Sequence, residues 1–573
     1  MKKMHTERVD DIPLLIAELE KSQLSEYLNR YFPDHGNWSG LDGGKVTVGF
    51  LTFLLSCSDH RLNRVEPWVE ERINTLRYCL GYADLSQKDF TDDRLGILLD
   101  RFSDEEKWDA FENAHNKNMI HVYQLNTKAE AIRLDAMIVQ SFRDQGDNFK
   151  RGHSKQHRAD LPQLKVMVAT LDPLSMPLSS VIVSGNQADD GLYLEVIKKL
   201  EQDIAIKEQL FVGDAKIGSL SNRAYLQKKG QYYLMPLSKK QCSPAQLFDY
   251  LQDQPKQLVQ IMEEQKDLTS PASMKAKAFE IEEDMYSEEL DIAWTERRLI
   301  VYSTSYADLL NRKLDQRLDK VAVKLDSFLE AKQGKKKLST KTEIEVAISQ
   351  LLKKHKVDAF ITVEVIEHID RIPIRKYGNR PAGFKENLSF SLKIQTNQEA
   401  LEKHRQNLGW RVYATNSPFD RLSTKECIIC YRQEYRIEHK FNELLNKFTS
   451  LVPVFLKKDH RINALVRLSL LALKFVSTIQ YQVRQELKDT GQQVKELYPG
   501  NPGRATARPT TKMILEAFNN IHLVIMPFQN QIIIKLSELK PIQLQLLKFL
   551  KINPTIYSGI EQFFFSEFNL GET

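Results

Sequence analysis

Ala131-Ile-Arg-Leu-Asp-Ala-Met137 and Leu210-Phe-Val-Gly-Asp-Ala-Lys216 are two short apolar runs, each interrupted or closed by an aspartate. A carboxylate in that setting marks the tip of a buried strand. Between them, 164–171 (Leu-Lys-Val-Met-Val-Ala-Thr-Leu) reads as a second strand, Asp172-Pro-Leu-Ser-Met-Pro177 turns the chain, and 178–183 returns as a third. Residues 186–203 place Tyr193, Val196, Ile197 and Leu200 at helical spacing, and 210–212 forms a fourth strand that delivers Asp214. Tyr232-Tyr-Leu-Met235 is a fifth. The order strand, strand, strand, helix, strand predicts that the fourth strand lies beside the first, bringing Asp135 and Asp214 together.

That order is the one of ribonuclease-H-like folds. A further acid comes from a basic segment far downstream, where 425–445 reads as one helix with Ile437, Phe441 and Leu444 on its packing stripe. Glu434 and Glu438 are four residues apart on one helical face, so either can supply the third carboxylate. Glu438 is preferred, because Phe441 and Leu444 bury the adjacent stripe and turn it toward the sheet. Three such carboxylates can hold two Mg²⁺ ions, with Mn²⁺ expected to substitute. The expected chemistry is in-line displacement at a phosphodiester by a metal-activated water or DNA 3′-hydroxyl, without a protein nucleophile or histidine base.

Charge supports a polyanionic substrate. The 573-residue chain has a net charge of +5, but 431–515 alone holds fifteen Lys/Arg against seven Asp/Glu. A basic region beside clustered carboxylates suits nucleic acid. With 42% hydrophobic residues, disorder of the whole chain is excluded, and the length implies several folding units. The fold class expected is α/β: a helical N-terminal domain over 1–125 that binds DNA ends, a catalytic core over 126–235 and 416–500, a mixed α+β insertion over 236–415, and a tail over 501–573 without an assigned role. In the insertion, Leu310, Leu314, Leu318, Val321, Leu325 and Phe328 mark a long helix, and the Lys-rich loop 332–337 reads as a solubilising surface loop. The apolar stretch 462–481 is interrupted by Arg467 and Lys474, which marks a core helix and not a membrane span. The polar start Met1-Lys-Lys-Met-His-Thr-Glu-Arg is unlike a secretory leader. Five scattered cysteines do not form a disulfide framework, and Cys427-Ile-Ile-Cys430 reads as a pair of buried thiols.

Six stretches occur in a telling order: Arg133-Leu-Asp-Ala136, Gly152-His-Ser-Lys-Gln-His-Arg-Ala-Asp-Leu-Pro-Gln163, Ser184-Gly-Asn-Gln-Ala-Asp189, Phe211-Val-Gly-Asp-Ala-Lys216, Ala414-Thr-Asn416 and Tyr431-Arg-Gln-Glu-Tyr-Arg-Ile-Glu438. Together they resemble the bacterial insertion-sequence transposases of the DDE class, in the group with a long insertion before the last acid and a Tyr-Arg-Glu-Lys signature around it. The resemblance runs from the Asp-Asp-Arg-Leu stretch at 92 to the Pro-Thr segment at 509. It implies Mg²⁺ dependence, binding to terminal inverted repeats and target DNA, a homodimer in the synaptic complex, cut-and-paste strand cleavage and transfer, and residence at the nucleoid in the bacterial cytoplasm, with no membrane partner. By position it makes Asp135, Asp214 and Glu438 the metal ligands and Tyr431 a residue that holds DNA near the cleaved end. The signature arginine falls at Glu434, flanked by Arg432 and Arg436, and the signature lysine falls at Leu445, two residues before Lys447. Arg432, Arg436 and Lys447 are therefore the candidate phosphate contacts. Lys155 and Arg158 join them from a basic loop whose His153 and His157 read as phosphate contacts or surface residues and not zinc ligands.

Three rival readings use the same residues. A nuclease of this fold would cleave without joining. A transposase-derived DNA-binding protein would have lost its catalysis, against which the intact acids speak. A structural α/β protein would carry the acids incidentally.

Overall fold

The computed structural model describes residues 4–125, 131–142, 146–152, 158–188, 191–204, 208–252, 255, 257–262, 274–330, 338–375, 383–528 and 531–569. A short strand, β1 (His5–Arg8), opens the chain and a run of helices leads to Glu105–Val122. Five strands then build the centre: β2 (Ala131–Gln140), β3 (Gln163–Leu171), β4 (Met176–Ser184), β5 (Leu210–Gly213) and β6 (Tyr232–Pro236). They lie in the order β4-β3-β2-β5-β6. β3 is antiparallel to β2 and β4, while β5 is parallel to β2 and to β6. A parallel neighbour requires a crossover, and the helix Leu192–Ile204 lies in it, burying Tyr193, Val196, Ile197 and Leu200 as their spacing predicts. The ribonuclease-H-like order is thus realised. One detail differs: β2 continues through the buried Ala136, Met137, Ile138 and Val139, so Asp135 sits in the middle of a ten-residue strand and not at its tip.

Half of the insertion continues this sheet. β7 (Val259–Met262), β8 (Met274–Ser287) and β9 (Ile292–Ser303) are joined later by β12 (Trp410–Thr415), and the sheet runs on as β6-β12-β9-β8-β7. A buried charge network fastens the seam. Glu296 of β9 accepts from Arg223 Nη1 at 2.6 Å and lies 2.9 Å from Arg298 Nε, and the Tyr233 hydroxyl of β6 also donates to it. Two cations and a phenol answer one carboxylate, which is what burial of a charge demands. The other half of the insertion packs on its own core. The helices Thr304–Asp326 and Lys341–His355 close on the base of the hairpin β10 (Ile361–Ile374) and β11 (Gly383–Thr396), around Leu314, Val321, Ile344, Ile348 and Val365. The loop 332–337 lies outside the described residues. β8 and β11 both carry charged residues at close intervals and so lack the dense apolar run that marks β2 or β3 in the sequence.

The two ends of the chain share one core with the sheet. β1 pairs with β13 (His522–Phe528), which pairs with β14 (Gln531–Leu536). The core helix expected at the apolar stretch 462–481 runs Asp459–Thr490; it is long and apolar enough to cross a membrane, and 94% of its most apolar stretch is buried inside the fold. It passes among the N-terminal helices, β4 and the tail. Lys474 in its middle donates to Glu112 Oε1 at 2.9 Å and Asn116 Oδ1 at 2.8 Å, and Asn116 donates to the Leu178 carbonyl of β4. One buried lysine thereby ties the helical N-terminal region to the sheet.

Candidate active site

The β2/β5 register pairs Arg133 with Val212 and Leu134 with Gly213. Asp135 and Asp214 come next on these adjacent parallel strands, so the acids are neighbours because of register alone. Asp214 lies just past the end of β5. Its Oδ1 accepts from the Tyr193 hydroxyl at 2.8 Å and from the Lys216 backbone N–H at 2.9 Å, which orients the carboxylate. Asp135 Oδ1 accepts from the Ala136 N–H at 2.7 Å.

The downstream helix is not the single element expected over 425–445. Thr424–Arg432 begins with a capping box in which Glu426 Oε2 accepts from the Ser423 N–H at 2.9 Å. A second helix, Tyr435–Glu443, follows a kink and runs into a wider turn at Leu444–Phe448. Through the kink the amides of Gln433, Glu434, Arg436 and Ile437 bond three residues back instead of four, which tightens the turn. The kink has a physical cause. Arg133, buried on β2, donates from Nη2 to the Cys430 carbonyl at 2.6 Å while its Nε pairs with Asp172 at 2.7 Å. The Cys430 carbonyl is thus shared with a side chain at the point where the regular ladder stops. Since Arg133 and Asp135 are two residues apart on one strand face, the residue that anchors the helix and the first acid project to the same side.

This geometry separates the two candidates for the third acid. Glu434 lines a small crevice with Arg133, Asp135, Gly213 and Tyr431. Burial, and then the Asp135, Glu438 and Asp214 carboxylates, push its carboxyl above the usual range, against a hydrogen bond from Tyr431. Glu438 is exposed one turn further on, while Ile437, Phe441 and Leu444 are buried as expected. Tyr431 is itself buried, with its ring 4.7 Å from that of Tyr413. Arg432 donates to the Lys275 carbonyl at 3.0 Å and Ser303 Oγ at 3.3 Å, fastening the helix to β8 and β9. Arg436 and Lys447 line a groove on the far side of Tyr435–Glu443. Arg158 pairs with Asp160 at 2.8 Å, past the end of β2, and Lys155, His153 and His157 lie outside the described residues. Cys427 and Cys430 are free thiols raised by burial, Cys427 to about 12.

The donor chemistry fits a hard divalent cation such as Mg²⁺. All the donors are carboxylate oxygens, and Glu434 feels repulsion from three other acids that a cation would relieve. Among the described residues, no three His, Cys, Asp or Glu groups already form a closed ion-binding set.

Residues 127–473 match the family described as the transposase DDE domain. The chain belongs to that family. The matched segment starts just ahead of β2, includes the insertion and the kinked helix, and ends inside the Asp459–Thr490 helix. No curated protein matches the chain. A cryo-EM structure titled as a piggyBac transposase synaptic complex with hairpin DNA aligns over 81% of this chain and 88% of that one, at 8% identity; its TM-score of 0.24 is too low to indicate a shared fold by itself.

Three residues of this DDE-family chain carry roles that sequence reasoning missed. Arg133 was visible as a charge inside an apolar run, spaced by two from Asp135, and that pattern is the signal of a same-face partner. Tyr193 read only as part of a helical stripe, although a hydroxyl on such a stripe needs a polar partner when buried. Asp172 read as a turn residue, yet it is the buried counter-ion of Arg133. Two motif glycines also gain a reason: a side chain on Gly152 would strike the Gly185 carbonyl, and one on Gly185 would strike the Gln163 carbonyl.

Proposed function

We propose that this DDE transposase binds the terminal inverted repeats of a bacterial insertion sequence, as a homodimer that synapses two ends, and catalyses Mg²⁺-dependent strand cleavage and strand transfer. The observation that carries the reading is the β2/β5 register that makes Asp135 and Asp214 neighbours, with the kinked helix bringing Glu438 and Glu434 near them. Asp135, Asp214 and Glu438 are the proposed metal ligands. When bound, the cation supplies Lewis acidity at the scissile phosphodiester. Tyr193 and the Lys216 amide hold Asp214 in orientation, and Arg133 holds the Glu438-bearing segment against β2. Arg432 and Tyr431 act by fixing that segment beside the DNA end, and Arg436 and Lys447 face phosphate. Lys155 and Arg158 complete the proposed DNA contacts.

The test is cleavage of labelled linear DNA carrying the element's own terminal repeats, with Mg²⁺. Wild type is expected to nick at the repeat boundary, and Asp214→Asn and Glu438→Gln to lose about 10³-fold in rate, the order expected for removing one electrostatic contact to the reacting centre. Glu434→Gln is expected to retain cleavage. A Glu434→Gln variant that is dead beside an active Glu438→Gln would reassign the third ligand. A second reading, a DNA-binding protein with decayed catalysis, has one observation behind it, the glutamate in place of the signature arginine. Tight repeat binding without cleavage by wild type would establish that reading instead.

A further inference from the structure

A groove of about 800 Å³ opens between the Tyr435–Glu443 helix, the far half of the Asp459–Thr490 helix and residues 507–510. Arg436, Lys440, Lys447, Arg484, Lys488 and Arg508 line it, against Glu443 as its acidic member. Lys440 is neutralised by Glu443 at 2.7 Å. Among the described residues, no carboxylate stands at ion-pair distance from the other five. Elsewhere in this fold buried or half-buried cations are answered: Arg133 by Asp172, Arg223 by Glu296, Lys474 by Glu112. Five cations that form no ion pair among the described residues, along one groove, are a different arrangement.

The groove is also built. Arg484 Nε donates to the Pro509 carbonyl at 2.9 Å, which clamps the tail segment onto the helix and sets Arg508 at the groove wall. Behind it the backbone of Thr506 exchanges hydrogen bonds with Val494, at 2.8 and 3.0 Å. Burial lowers the affinity of Arg484 for its proton, and Arg508 and Arg436 add to this while Glu443 opposes it, so the like charges are close enough to interact. Arg484 and Lys488 stand four residues apart on one helix face. Neutral groups that can bond a phosphate, Gln480, Gln485 and Thr510 among them, lie between the cations.

Its position links it to the acids. Tyr435 lines this groove on one side and, on the other, the cavity that contains Glu434 and Glu438. Arg484, Lys488 and Arg508 lie beyond residue 473, where the family match ends. We propose that the groove is a track for the phosphodiester backbone of the DNA flanking the cleavage point, and that 484–508, outside the matched domain, supplies half of it. The inference rests on the transposase reading for the identity of the polyanion. Contacts of this kind position the duplex and add affinity without reading its sequence.

The experiment measures binding of full-length protein to a fluorescent duplex of arbitrary sequence, by anisotropy over a range of salt and without divalent metal. Neutralising two phosphate contacts in Lys488→Gln/Arg508→Gln is expected to weaken binding on the order of tenfold at about 0.15 M salt and to lower the slope of log K against log salt by about two. Lys447→Gln alone is expected to lower it by about one. All three side chains are exposed, so folding is not at stake. The exposed pair Lys353→Gln/Lys354→Gln, on the insertion, is expected to leave the slope unchanged. Unaltered slopes in both groove variants, or an equal fall in the insertion pair, would overturn the proposal. Asp214→Asn is expected to bind with the wild-type slope while losing cleavage, so failure of the catalytic reading and failure of the groove register in different measurements.

Discussion

Two sets of ionisable side chains, one around the long core helix and one between the sheet and the kinked helix, are arranged in opposite ways. Around Lys474, one cation meets Glu112 and Asn116 inside the core, and Asn116 is bonded onward to β4. Around Asp135, four acids gather beside the central strands β2 and β5, and Glu434 among them is raised by burial and then by the other three. The first arrangement is closed within the protein and serves cohesion, because every group has its partner. The second gathers like charges around a half-buried carboxyl, and a carboxyl raised by burial and neighbouring acids is the mark of a functional site. Glu434 shows the cost directly: the fold holds its carboxyl partly buried among like charges, with a hydrogen bond from the Tyr431 hydroxyl in answer.

The comparison breaks most visibly if the closed set proves dispensable. Lys474→Met leaves Glu112 buried without its cation and is expected to cost about 3–5 kcal/mol of stability, read as a fall in the urea midpoint. The double variant Lys474→Met/Glu112→Leu removes both charges and is expected to recover most of that loss. A single variant as stable as wild type would show that the pair does not hold the N-terminal helices to the sheet.

Asp11 sharpens the contrast, since it is buried in the core and forms no ion pair among the described residues. Asp11 accepts from Ser56 Oγ at 2.7 Å, and burial, with Asp10 adding, lifts its carboxyl from 3.8 to about 6. The folded form therefore keeps the proton longer than the unfolded chain does. Stability is full below about 3.8 and declines as pH rises through about 6, by up to about 3 kcal/mol. Asp11→Asn is expected to flatten that part of the thermal midpoint against pH profile. A profile as steep as that of wild type would assign the dependence to another group.

The smallest effect concerns the acid cluster. Mg²⁺ at about tenfold over its Kd is expected to raise wild-type stability by about 1.4 kcal/mol, and to leave Asp135→Asn unchanged. An equal rise in both proteins would mean that the ion binds elsewhere.

Much of this contrast was legible beforehand, and the failures are instructive. The catalytic strands were readable because each is an apolar run that must be buried on both faces, bounded by turn residues. The Asp135/Asp214 pair followed from element order, since a strand, crossover, strand unit leaves few topologies. The kink at 433–434 was not readable. It arises from a side chain 297 residues earlier in the chain, Arg133 on Cys430, and local propensity carries no record of such a contact. The insertion was recognised as mixed α+β, but its continuation of the catalytic sheet depends on edge pairing of β12 with β6 and β9, and backbone pairing leaves little trace in side chains.

What the amino-acid sequence determined by itself was the identity and order of the five central strands and which acids they carry, because burial periodicity and turn chemistry are local. What only the tertiary structure decided was which of Glu434 and Glu438 lies in the crevice beside Asp135, that residues 1–125 and 501–573 close on a common core, and that Arg508 joins Arg436 in one groove. Those outcomes rest on contacts between distant residues, made by register, by buried ion pairs and by a single arginine on a carbonyl, and no stretch of chain encodes them alone.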